Sequence, residues 1–470
     1  MSNALFRDLK RLVEGEEARA HDRVAADPYR QAFHLMPPAG WLNDPNGLCY
    51  FRGNYHVFYQ YGPFDPTGGV KMWGHYRSPD LLRWERCPVM LFPDQPYDLH
   101  GVYSGSAFIE DGVMYLYYTG NVKHEGDYDY ITAGRGHNTC LAVSRDGWTA
   151  DSKRLLMENA DYPAGLTCHV RDPKVWKEGE AYYMVQGART LADKGEVLVF
   201  TSKDRLHWTH ADTLTTDEPF GYMWECPDRF ALDGLDVLSV SPQGLTQQGD
   251  RFQNIYACGY FPDAAHPVAG AFAEWDKGFD FYAPQTFLAP DGRRILIGWM
   301  GMPDADYGNP TAAHGWQHCL TVPCELNARG GKILRRPVKE LEALRGELRV
   351  YETAGTPHIE TGRAFDLVWT PARGELRLVI RGCAVLEWKK NALTLSFRAG
   401  GAGRAVRRAA VDALREVRIL GDASSLEIFV NGGETVLSTR YYPDETGGGL
   451  HFEAGAGRAQ VWDMQAMEVR

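Results

Sequence analysis

No stretch of about 18 consecutive apolar residues occurs in the 470-residue chain, so nothing in it reads as a membrane-spanning helix. A disulfide or zinc framework is also missing. The nine cysteines (Cys49, Cys87, Cys140, Cys168, Cys226, Cys258, Cys319, Cys324 and Cys383) are odd in number, irregularly spaced and form no C-x-x-C pair. That usage fits reduced thiols in a cytoplasmic protein. The first twenty residues, MSNALFRDLKRLVEGEEARA, are charged throughout and contain no apolar h-region, so no signal peptide is expected. Positive charge is in deficit: 50 Lys and Arg face 61 Asp and Glu, a formal net charge of -11. This argues against non-specific nucleic-acid binding and leaves a neutral substrate open. Long amphipathic helices are scarce. Leu5, Leu9, Leu12 and Val13 recur at helical spacing within residues 3–25, and no comparable pattern returns before about residue 337.

What fills the chain instead is short aromatic-rich runs separated by Gly, Pro, Asn and Asp, the texture of an all-β protein. Its 13 Trp, 24 Tyr and 20 Phe suit strands and also make platforms for sugar rings. A repeat runs through the first two thirds: NGLCYFRGNYHVFYQYG (46–62), GSAFIEDGVMYLYYTG (105–120), DPKVWKEGEAYYMVQG (172–187), PDRFALDGLDVLSVSPQG (227–244) and PQTFLAPDGRRILIGWMG (284–301). Each unit reads strand, turn, strand. The turn glycines Gly53, Gly112, Gly179, Gly234 and Gly292 follow one another at 59, 67, 55 and 58 residues. A second mark, SPDLLRW, SRDGW or SKDRLHW, follows the first three units. Five copies at a near-constant period predict radial repetition of four-stranded sheets, a five-bladed β-propeller over residues 30–335. An ordinary β-sandwich of hairpins would not need that period. The expected organisation is a helical extension over 1–29, the propeller, a linker helix over 336–348 within RRPVKELEALRGEL, and a β-sandwich over 349–470. In the sandwich, SLEIFVNGGETVLSTRYY predicts a hairpin turning at Asn431-Gly432, with apolar and polar residues alternating.

The polar motifs fall where each unit's inner strand begins. WLNDPNG (41–47) holds Asp44 in a turn, between two amides and before a proline that restricts it. Ser104 and Ser106 start the second unit, Arg171-Asp172-Pro173 the third, and Trp224-Glu225-Cys226-Pro227-Asp228 the fourth. Singly, these are ordinary features: an Asp before Pro is usually a turn residue, and an Arg-Asp dipeptide a solvated pair. Three acids in register across three units are expected to converge on one axial pocket. Carboxylates also suit calcium, but the neighbouring Trp41, Trp73, Trp224, Tyr59 and Gln60 suit a stacked, hydrogen-bonded sugar. Glycoside cleavage requires one ionised and one protonated carboxyl group flanking the bond. Asp44, beside its amides, fits the ionised role, and Glu225, between Trp224 and Cys226, fits a carboxyl kept protonated by an apolar wall. Cys226 has no partner histidine in its motif and is not assigned as a nucleophile. His34, His75, His137, His169 and His314 are candidate substrate contacts.

The ordered motifs WLNDPNG, FYQY (58–61), MWGHYRSPDLLRW (72–84), SGSA (104–107), RDPKVW (171–176), WECPD (224–228) and FDFYAPQTF (279–287) resemble glycoside hydrolase family 32, as does the SLEIFVNGGE tail. That family holds invertases, sucrose-6-phosphate hydrolases, levanases and inulinases. The resemblance implies a retaining β-fructofuranosidase without metal or cofactor: Asp44 as nucleophile, Asp172 as transition-state stabiliser, Glu225 as general acid/base. It implies a fructose site lined by Trp41, Asn43, Gln60, Trp73, Ser104, Ser106 and Arg171. Retention implies carboxyl groups of Asp44 and Glu225 roughly 5–5.5 Å apart. The expected partner is a small sugar (sucrose, sucrose 6-phosphate or a short fructan), and exposed sandwich faces are compatible with a homodimer. Fructosyl transfer would use the same residues, and a binding-only propeller is the competing non-enzymatic reading. A phosphorylated substrate would need a basic group at the pocket rim, which the sequence alone does not single out.

Overall fold

The computed structural model describes residues 3–354, 357–444 and 448–470. The predicted N-terminal helix is Ala4–Ala25, capped by the Asn3 side chain, which accepts from the Phe6 amide. It buries Val13, Ala20 and Val24, and among the described residues it is the one α-helix.

Everything after it is β, a propeller followed by a sandwich. The first sheet orders Gly40–Phe51, Asn54–Gly62, Met72–Ser78 and Arg83–Leu91. Its two edges are covered, by Trp316–Gln317 beside the leading strand and by Glu468–Val469, from the far end of the chain, beside Arg83–Leu91. Covered edges offer no template for further pairing. The second sheet runs from leading strand Val102–Glu110 to Ser152–Met157, the third from Leu166–Glu178 to Thr209–Leu214, and the fourth from Met223–Leu232 to Ala273–Glu274. A further sheet leads with Tyr282–Leu288 and ends with Lys332–Pro337. All five turn glycines adopt positive φ, between 58° and 87°, with open space where a Cβ would stand. They are there for backbone geometry and not for close packing. At Arg52-Gly53, Asp111-Gly112 and Asp233-Gly234 both turn residues have positive φ, the type I′ geometry that matches strand twist. The second repeat mark is a capped turn: Asp80, Asp146 and Asp204 accept the amides two and three residues on.

Two expectations need correction. The linker helix is absent: Lys332–Pro337 is a strand paired with Cys324–Arg329, followed only by a 3₁₀ turn at Lys339–Leu344. Arg335 anchors that strand, where its buried guanidinium reaches Asp276 and the Ser438 hydroxyl. The hairpin Ser425–Val430/Thr435–Arg440 forms, with four loop residues, but it is buried on both faces. Leu426, Ile428, Val430 and Leu437 fill the sandwich core, while Glu427, Ser438 and Arg440 face the propeller. The alternation read from sequence is real, but its polar face meets protein, not water.

Candidate active site

The leading strand of each propeller sheet carries a register shift at the same depth. It falls at Asn43-Asp44, at Ser104, at Asp172-Pro173, at Cys226-Pro227 and at Ala283-Pro284. Bulges bend a strand and re-aim its side chains. Asp172 (φ 66°), Cys226 (φ 48°) and Ala283 (φ 48°) sit in the left-handed region there, where non-glycine residues are uncommon and cluster at functional sites.

This shared kink brings the three acids together. Asp44 is held at both oxygens: Asn43 Nδ2 donates to Oδ1 at 3.1 Å, and the Ser104 hydroxyl (2.5 Å) and Gln60 Nε2 (3.1 Å) donate to Oδ2. Gln60 also donates to Ser104, and Trp41 Nε1 donates to Asn43 Oδ1 at 2.8 Å, so the set is fixed one layer further out. Burial pushes the Asp44 carboxyl up, and the Ser104 and Asn43 hydrogen bonds pull it back. Asp172 lies deeper, only 4% exposed, and accepts the Cys226 amide at 2.9 Å. Burial raises it to about 7 against the pull of Arg171. The Cys226 thiol stands between the two acids, 3.8 Å from Asp44 Oδ2 and 3.6 Å from Asp172 Oδ2. Burial and these acids drive its pKa far up, so it is a thiol and no nucleophile.

Glu225 is partly exposed, and its surroundings differ from the expected apolar wall. Arg171 donates to Oε1 from Nη2 (2.6 Å) and Nε (3.1 Å), while the Tyr282 hydroxyl (2.6 Å) and Gln243 Nε2 (2.8 Å) donate to Oε2. Trp224 turns away, fully buried, with its indole N–H on the Phe220 carbonyl. On an extended strand, adjacent side chains point to opposite faces, so Trp224 and Glu225 part company. Glu225 and Asp172 thus share the Arg171 guanidinium, and Asp44 adjoins them through the Cys226 thiol.

Other expected site residues divide. Trp41, Asn43, Gln60, Ser104 and Arg171 belong to this cluster. Trp73 does not present a ring to the pocket: it is fully enclosed between Phe58 and Tyr118, donates to the Tyr103 carbonyl, and backs the Gly47 turn. Ser106 is spent on a bridge between neighbouring sheets, donating to the Pro173 carbonyl and accepting the Val175 amide. His34 pairs with Asp422 and Glu427 of the sandwich, and His75 stacks on His56, both away from the acids. His169 accepts from Arg171 Nη1 at 2.6 Å, and His137 packs edge-on against it. His314 ends a short 3₁₀ turn.

Three pocket residues escaped the sequence reading. Tyr282 stands just before the Ala283-Pro284 bulge, the place that Arg171 holds before Asp172-Pro173, so extending that register to Tyr282-Ala283-Pro284 would have found it. Gln243 closes the second strand of the fourth sheet, without a motif of its own. Lys71 lies 4.7 Å from the Trp41 ring centre, lowered to about 7 by burial against the attraction of Asp44. Nothing but the fold brings it there. No group of three or more metal-ligating side chains is found among the described residues.

The comparisons with known proteins agree with this geometry. The model for the glycosyl hydrolases family 32 N-terminal domain matches residues 34–337, and that for the family 32 C-terminal domain matches residues 390–468. The chain is 41% identical over 460 residues to a sucrose-6-phosphate hydrolase of Bacillus subtilis, covering 93% of this chain and 94% of that one. Among solved structures, the sucrose-6-phosphate hydrolase of Lactobacillus gasseri superposes with a TM-score of 0.88 at 28% identity, covering 97% of each chain. A mutant of a Bombyx mori beta-fructofuranosidase in complex with sucrose superposes with a TM-score of 0.85 at 30% identity, covering 98% of this chain and 99% of that one. The chain belongs to glycoside hydrolase family 32.

Proposed function

We propose that this chain is a retaining β-fructofuranosidase that hydrolyses the terminal fructofuranosyl bond of sucrose or sucrose 6-phosphate. The observation that carries the reading is the gathering of Asp44, Asp172 and Glu225 from three sheets around Arg171 and Cys226. Relatives named for that hydrolysis match nearly the whole chain.

Asp44 is the nucleophile. With both oxygens hydrogen-bonded it has little rotational freedom left to lose when it attacks the anomeric carbon. Departure of the other sugar needs a proton on the glycosidic oxygen, which Glu225 delivers, and Glu225 then takes a proton from the water that releases fructose. Asp172, raised to about 7 by burial against the pull of Arg171, is where the site favours a proton near neutrality. Sugar hydroxyls donating to Asp172 favour its ionised form, which stabilises positive charge on the ring in the transition state.

The architectural reading goes with it. We take the propeller as five-bladed over about residues 30–337, because each leading strand packs on the next and the last packs on the first. The sandwich then begins near residue 349. Glucose or glucose 6-phosphate release from the two sucroses, without added metal, tests the activity, and the anomer of fructose first formed, read by NMR, tests retention. The β-anomer is expected; first formation of the α-anomer would remove Asp44 from the nucleophile role.

A further inference from the structure

We infer that Lys123 and Arg135 form a phosphate-binding subsite at the mouth of the pocket, which takes the 6-phosphate of the departing sugar. The inference rests on the β-fructofuranosidase reading.

The second sheet pairs Val113–Lys123 with Arg135–Ser144, and the last pair of that ladder sets Lys123 directly opposite Arg135. Residues directly opposite share one face, with Cβ atoms about 5 Å apart, and like charges placed so repel. Neither cation forms an ion pair among the described residues. Arg135 Nε donates to the neutral Asn121 side chain at 3.1 Å, and Lys123 lies over the Tyr130 ring at 5.3 Å. On the connecting loop, Asp129 is spent on the Thr132 hydroxyl and on loop amides. Two facing cations without a counter-charge call for an anion from outside.

The pair sits at the right end of the sheet and on the right face. The ladder from Val102↔Gly120 runs on to Asn121, Val122 and Lys123, beyond the start of the leading strand that carries Ser104. That end is the mouth. His137 meets His169 edge-on, with ring centres 5.3 Å apart, and His169 binds Arg171, which binds Glu225. Arg135, two residues before His137, shares its face and stands about 7 Å further out. A sugar whose glycosidic oxygen rests on Glu225 therefore extends past the histidines toward Arg135 and Lys123. His137 and His169 are held neutral by burial and by the nearby cations, His169 at about 3, so they add no charge of their own. Burial first, and then repulsion from Arg171 and from Arg135, disfavours the charge on Arg135 and Lys123 respectively, although Tyr103 supports Arg135; a dianionic phosphate would favour both charges.

The test compares kcat/KM for sucrose 6-phosphate and for sucrose in the unmodified protein, Lys123→Gln, Arg135→Gln, the double variant and Arg135→Lys. The ratio of the two constants is expected to fall about tenfold for each charge removed, mainly through KM for the phosphorylated sugar, with Arg135→Lys keeping most of it. Inorganic phosphate should compete with sucrose 6-phosphate in the unmodified protein and less in the double variant. A ratio that stays constant, or a parallel loss on both sugars, overturns the subsite while leaving the fructofuranosidase reading intact. An unmodified protein that cleaves neither sugar overturns that reading itself.

Discussion

Carboxylates are buried beside arginines in two regions of this molecule, and the regions differ in their charge balance. At the seam between propeller and sandwich the buried acids have cationic partners. Arg404 grips Asp280 with two bonds, of 2.7 and 2.8 Å, Arg335 meets Asp276 at 2.8 Å, and His34 spans Asp422 and Glu427. In the axial pocket, Asp172 and Glu225 share Arg171, and Asp44 has a half-buried Lys71 beside it. Backbone geometry separates them too. Asp172 and Cys226 have positive φ, whereas Asp276, Asp280, Arg335 and Arg404 do not. Burial of charge alone is thus a poor marker of function. Excess charge of one sign, held on kinked backbone and open to solvent, is the better one.

The comparison breaks most sharply under paired substitutions. Asp44→Asn is expected to lower kcat by about 10⁴-fold or more, as removal of a nucleophile does, with the melting temperature unchanged or higher because a buried charge is relieved. Asp280→Ala does the opposite. It strands the Arg404 guanidinium and the Arg440 amide in the seam, and breaking such a buried pair costs about 3–5 kcal/mol. Urea titration should show that loss, while the fraction still folded turns over sucrose normally. A seam variant that stays stable and loses kcat would erase the distinction between the two regions.

The seam also carries its own pH dependence. His34 is raised to about 9 from an ordinary 6.5 by Asp422 and Glu427, despite complete burial. A group whose pKa rises on folding contributes stability that is full below about 6.5 and disappears as pH climbs through about 9, here roughly 3 kcal/mol at most. The melting temperature should therefore fall across that window, and His34→Gln should flatten the curve while lowering it at pH 6. A wild-type curve that is level from pH 6.5 to 9.5 would mean the triad is neutral throughout. The pocket runs partly the other way, because Lys71, lowered to about 7 by burial, adds stability as pH rises above that value, so the His34 trend is read from the difference between wild type and His34→Gln.

Much of this was legible in the sequence because repetition made it so. Glycine spacing located the turns, and the register of Asp44, Asp172 and Glu225 placed them at one depth before any coordinate was known. Reading failed where a residue's partner lies far along the chain. RRPVKELEAL looks helical by itself, and Asp276 and Ser438, which anchor Arg335 on its strand, lie outside it. Trp73 has the right motif for a ligand platform, but Phe58 and Tyr118 close over it. Glu225 was given an apolar wall from its chain neighbours, although strand alternation sends Trp224 to the other face. The facing of Lys123 and Arg135 follows from strand register, which depends on the length of the loop between them.

Tyr282 is the residue on which the two regions are hardest to tell apart. It is buried like a seam residue, and its ring packs near Trp299 and Tyr256 in the largest core cluster. Yet its hydroxyl donates to Glu225 Oε2 at 2.6 Å, a distance typical of a charge-assisted bond. Phenylalanine keeps the ring and its packing and removes only that donor. Gln243 still donates to the same oxygen at 2.8 Å, so the Glu225 carboxyl group keeps part of its support. If Tyr282 serves the site, Tyr282→Phe should lower kcat about tenfold, within the usual worth of a hydrogen bond to a charged group, with little change in KM or melting temperature. If it serves the scaffold, the melting temperature falls and kcat per folded molecule stays. Since both quantities come from one preparation, a single variant decides which region Tyr282 serves.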